Sequence, residues 1–126
     1  MRKIVEYPYS TAMGRLNRIL HTHTDMLTAK PELVRTILDI QRKASAFTIA
    51  NREAMISMSM AELGQEREAL EVSAPNVELN WQMTPLMVQQ VKTYSEQILE
   101  LKQIRALPNY DTFISTKFSD EIAKSA

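Results

Sequence analysis

From residue 13 onward, apolar positions along this chain recur every three or four residues, the period of a helix covered on one side. Met13, Leu16, Leu20, His23 and Leu27 lie on one such face. They predict a first helix capped by Ser10 or Thr11 and running to about Lys30. Leu33, Ile37, Ile40, Ala44, Phe47, Asn51, Ala54 and Met58 then alternate steps of four and three, the spacing of a coiled-coil seam. A second set, Ile49, Ile56, Leu63 and Leu70, steps by seven, with Met60 between. Pro31 suits a first helical position, where its missing N–H would be unbonded anyway. No proline follows before Pro75, so the two seams predict one very long helix, about 31–72, that touches more than one neighbour. Its length would be on the order of 60 Å at 1.5 Å per residue. Gly64 is the one interior residue that costs about 1 kcal/mol relative to alanine, and it marks a place for a bend or break.

The stretch SAPNVELNWQM, residues 73–83, reads as a loop, with Trp81 as its anchor. Thr84-Pro85 is a cap and first-position pair for a second helix at 85–107, which carries Met87, Val91, Tyr94, Ile98 and Leu101 and stops before Pro108. A tail helix follows within 109–126, with Tyr110, Ile114, Phe118 and Ile122 at steps of four and Asp111 as candidate cap. Residues 1–8 read as an N-terminal arm closed by Pro8. The expected fold is all-α, a helical hairpin or bundle with one very long arm, forming a single domain over 1–126.

Composition narrows the functions open to such a fold. The chain has no cysteine, which removes disulfides, thiol catalysis and cysteine-ligated zinc. No apolar run approaches the roughly 18 residues of a membrane span, and MRKIVEYPYS lacks an apolar leader core, so the expected location is the cytoplasm. The formal net charge is zero, yet it conceals an asymmetry. Residues 1–52 hold nine basic groups against four acidic ones, while residues 53–78 hold one against six. A long helix so charged is positive near its start and negative near its end.

Candidate chemistry is sparse. His21 and His23 are the two histidines, with Asp25 close behind. On a helix, residues two apart point about 200° from one another, so the pair would not share a metal ion. His23 falls on the apolar stripe and reads as a packed residue, and no metal site is expected. The two glycines, Gly14 and Gly64, are isolated, so no phosphate-cradling loop is legible. Glu62, Glu66 and Glu68 read as a solvated face, and Met55, Met58 and Met60 as core. No catalytic residue, cofactor or small-molecule substrate is therefore expected.

What remains is interaction. The expected function is a non-enzymatic assembly or adaptor subunit that docks copies of itself or another protein, and a homo-oligomer is the favoured form. Its contacts would come from Phe47, Ile49, Ile56, Met60, Leu63 and Leu70 on the long helix, with Asn51 setting register. Val91, Tyr94, Ile98 and Leu101 would add the second helix. The alternative is a nucleic-acid-binding or packaging subunit using Lys3, Arg15, Arg18, Arg35, Arg42 and Lys43 on phosphates. Phage small-terminase rings have a comparable outline, an analogy of shape that brings no motif with it. A small protein inhibitor or regulator would expose the same seams.

Overall fold

The computed structural model describes residues 18–125, and the regular elements among them are all helical. They are α1 (Thr24–Ala29), α2 (Pro31–Ala50), α3 (Arg52–Leu63), α4 (Arg67–Ser73), a 3₁₀ turn (Ala74–Asn76), α5 (Pro85–Glu100), α6 (Tyr110–Phe113) and α7 (Lys117–Ser125). These residues form two compact units: Glu32–Trp81, and residues 18–31 together with 82–125.

In the first unit, the single long helix expected over 31–72 is instead three helices. The first interruption is Asn51, whose φ of −128° and ψ of 63° leave the helical region. Its side-chain amide donates to the Phe47 carbonyl at 2.8 Å, the same oxygen that accepts the Asn51 backbone N–H at 2.9 Å. A short polar side chain that bonds the preceding turn competes with regular backbone geometry. The ladder resumes at once, with Met55 N–H on the Asn51 carbonyl at 3.0 Å, so the chain kinks here rather than ending. The second interruption is Gly64, in the left-handed region at φ 63°. Its N–H bonds the Met60 carbonyl at 3.1 Å and closes α3 as a left-handed cap.

Beyond that cap α4 returns against α3. Arg67 pairs with Glu53 on α3 and reaches Glu71 on its own helix at 2.9 Å. Arg52 donates to the Glu71 carbonyl at 3.2 Å. Each helix contributes one buried apolar residue, Ile56 and Leu70. The seven-residue seam is thus not one stripe. Its members sit on α2, α3 and α4, with Ile56 and Leu70 buried and Ile49 and Leu63 exposed.

The turn at Gly64 yields a direct expectation. A Cβ built there meets nothing within 4 Å, so alanine adds only the backbone strain of a left-handed conformation. Gly64→Ala should lower stability by about 1 kcal/mol, and Gly64→Asn by less, because asparagine tolerates that region. Urea denaturation followed by circular dichroism reads both, and an alanine variant as stable as the parent would contradict the left-handed cap.

In the second unit, residues 18–23 precede α1 without regular structure, and His23 is its extended N-cap. Among the described residues the first helix is therefore confined to Thr24–Ala29. The expected caps Ser10 and Thr11, the stripe residues Met13 and Leu16, and the arm at 1–8 lie outside the described residues. Thr22 and Thr24 flank His23, and β-branched residues enter helices reluctantly.

α5 begins as the sequence predicts, with the Thr84 hydroxyl accepting the Met87 N–H at 3.2 Å and Pro85 in the first turn. It ends at Glu100, seven residues before the expected position 107. Lys102 takes φ 57°, and two crossed bonds close the end: Gln103 N–H to the Ile98 carbonyl at 2.8 Å and Lys102 N–H to the Leu99 carbonyl at 2.9 Å. This is a Schellman cap with lysine at the position where glycine is usual.

The tail is two helices rather than one. The cap of α6 is Asn109, whose side-chain oxygen accepts the Asp111 N–H at 3.1 Å, and Asp111 is instead the residue it caps. The steps-of-four residues nonetheless lie on the covered side: Phe118 is buried, and Tyr110, Ile114 and Ile122 are half-buried. Val91 and Ser95 on α5 and Phe118 and Ser119 on α7 are the buried residues of this unit. The two serines satisfy themselves locally, on the Val91 and Thr116 carbonyls, both at 2.8 Å. Lys92 on α5 stands 5.4 Å from the centre of the Tyr110 ring, a cation–π contact that ties α5 to α6.

Candidate interaction surface

α2 has two faces of contrasting chemistry, and the more apolar one is open. Leu33, Ile37, Ile40, Ala44 and Phe47 all lie within about 40° of one line along the helix, at 100° per residue. All five are exposed, Ile40 at 60% and Phe47 at 49%. The covered side, about a third of a turn away, carries Pro31, Val34, Leu38 and Ser45, and Ser45 is the one buried residue of the helix. Ordinarily the apolar stripe of an amphipathic helix faces inward. Here a mixed face containing serine is covered, and the continuous apolar face is left to solvent.

The other expected contact residues divide in the same way. Phe47, Ile49, Met60, Leu63, Tyr94 and Leu101 are exposed. Ile56, Leu70 and Val91 are buried within the chain, and Ile98 is half-buried. Asn51 is exposed between α2 and α3, and its amide donates to the Phe47 carbonyl at 2.8 Å. Met58 and Met60 are exposed rather than core, whereas Met55 is half-buried. Trp81 is half-buried, as an anchor of its loop would be. Leu33, Ile37 and Ile40 are exposed beside Phe47 but are not among the expected contacts. Their signal was already in the spacing, since they belong to the same four-three series as Phe47.

Three of the six basic groups proposed for phosphate are engaged within the chain. Arg35 pairs with Glu32 one turn earlier. Arg42 and Lys43 both hold Asp39, at 2.9 and 2.6 Å. Hydrogen bonds from Lys43 and then Arg42 keep the Asp39 carboxyl below its ordinary range. Arg67 does the same for Glu53, and Glu53 and Glu71 in turn hold Arg67 above the usual guanidinium value. Arg18 is exposed, while Lys3 and Arg15 lie outside the described residues.

His21 and His23 are both exposed on the segment before α1, so His23 is a helix cap and not a packed stripe residue. Among the described residues no three histidines, aspartates or glutamates come together as a metal would require. Glu62, Glu66 and Glu68 are exposed. No helix among the described residues is long and apolar enough to cross a membrane.

Comparison with known proteins finds no matching family model, no matching characterised protein and no matching solved structure.

Proposed function

We propose that this chain is a non-enzymatic helical assembly subunit that associates with copies of itself through exposed apolar helix faces. The observation that carries this reading is the inversion on α2, where Leu33, Ile37, Ile40, Ala44 and Phe47 face outward while a serine-bearing face is covered. A continuous apolar stripe left in water forgoes roughly 25 cal/mol for each Å² that a partner would cover. Its regular helical spacing, unlike scattered exposed side chains, supports a partner surface.

The nucleic-acid alternative has less support, because Arg35, Arg42 and Lys43 already hold carboxylates that phosphate would have to displace. Light scattering coupled to size exclusion tests the main reading. A defined oligomer is expected, with a mass that changes little between low and high salt, because the associating surface is apolar and the charges of α2 are paired within the helix. Material that stays at the 14.4 kDa of one chain even at high concentration would refute it. An oligomer that falls apart in salt would instead place the contact on opposed charges.

A further inference from the structure

We propose that Asn51 is a latch on an otherwise continuous helix, which gives the α2–α3 joint a kinked position and a straight one. Asn51 is the residue that leaves helical geometry, at φ −128° and ψ 63°. The backbone ladder nevertheless runs through it, from the Asn51 N–H to the Phe47 carbonyl at 2.9 Å and from the Met55 N–H to the Asn51 carbonyl at 3.0 Å. The sequence on either side also suits one helix. Ala44, Phe47, Asn51, Ala54 and Met58 keep their steps of three and four across the joint, and no glycine or proline lies between Leu33 and Met58. Ala50, Arg52, Glu53 and Ala54 beside the kink are among the best helix formers.

No packed side chain sits at the joint to fix it. None of residues 46–55 is buried. The α3 helix is tied to α4 instead, through Ile56, Leu70 and the Arg67–Glu53 pair. What marks the kink is the exposed Asn51 amide, which donates to the Phe47 carbonyl at 2.8 Å, and a side chain bonded into the preceding turn bends a helix there. In contact with water such a bond is a weak hold. The two positions therefore lie close in free energy, and the chain populates both. Their difference is the run of the exposed stripe. In one unbroken helix, at about 100° per residue, Met58 falls within about 20° of the line that Leu33 begins. Straightening thus carries the stripe past Phe47 to the exposed Met58 on α3. The joint belongs to a single chain, and it stands whether or not copies associate.

The chain has no cysteine, so spin labels placed by Thr36→Cys and Glu62→Cys, both exposed positions, report one distance across the joint by electron–electron resonance. Labelled chain is diluted into unlabelled chain so that only distances within one molecule are read. A straight helix separates the two backbone positions by about 39 Å at 1.5 Å per residue. The parent should show a shorter main distance with a minor population near that value. Asn51→Ala removes the latch and should raise the ratio of straight to kinked molecules roughly tenfold, with a gain in helical circular dichroism. Thr48→Ala is the control. Its hydroxyl also bonds back along the helix, to the Ala44 carbonyl at 2.8 Å, so its loss removes a similar bond and should leave the distances unchanged. A distance distribution that Asn51→Ala does not alter overturns the proposal. So does a parent chain that is wholly straight, or a Thr48→Ala chain that straightens as much as Asn51→Ala.

Discussion

Phe118→Ala should cost about 3–5 kcal/mol and unfold much of the second unit at temperatures where the parent chain is intact. Phe118 is 5% exposed and is the largest of the buried apolar side chains among the described residues. Among the described residues of that unit only Val91 accompanies it as a buried apolar residue, the other buried positions being Ser95 and Ser119. With few fully buried large side chains among the described residues, there is little to fill the space a missing ring leaves. The loss therefore combines the transfer of the ring to water with an uncollapsed cavity. Phe113, five residues earlier, provides the comparison. It is 58% exposed on α6, and Phe113→Ala should stay within about 0.5 kcal/mol of the parent. Urea denaturation of the two variants decides the matter. Equal effects from the two rings would mean that α7 is not seated as the structure places it.

The contrast between those two phenylalanines was legible in the sequence, because Phe118 belongs to the steps-of-four series and Phe113 does not. Periodicity reports which residues share a side of the chain, and that held even where the helix carrying them was broken at 114–116. The all-helical class and the Thr84-Pro85 start of α5 were legible for similar reasons, each resting on local chemistry. Helix ends were harder. Gly64 announced itself as a glycine. The kink at Asn51 was hidden because asparagine sits on the seam at a position where coiled coils use it for register. The end of α5 was hidden more deeply, since Lys102 adopts a conformation for which lysine carries no sequence signal. The candidate surface was half legible. The seam through Phe47 could be read from spacing, but which of two neighbouring faces is covered depends on packing. Ile56 and Leu70 were expected to meet a partner for the same reason. A hydrophobic residue spaced for contact looks alike in sequence whether its contact lies within the chain or outside it.

Ile56→Ala distinguishes these two roles, and its expected result is a loss of about 2–5 kcal/mol concentrated in α4. Ile56 is 2% exposed, the most enclosed of the buried apolar residues described. α4 has seven residues, well below the ~12–15 at which an isolated helix becomes even marginal in water. Its helical state must therefore come from its contact with α3, where Leu70 is buried and Arg67 meets Glu53. The ion pair is exposed, so screening by water leaves it little strength and burial decides the balance. Removing the Ile56 side chain should release the α4 amides to rapid hydrogen exchange while those of α2, a separate twenty-residue helix beyond the Asn51 kink, exchange as before. Leu63→Ala, on the same α3 helix but exposed, should leave α4 protected. Were Ile56 instead a partner contact, Ile56→Ala would weaken association and spare α4. Protection of α4 that survives the substitution would return Ile56 to the docking surface and leave this short helix without the support that its length demands.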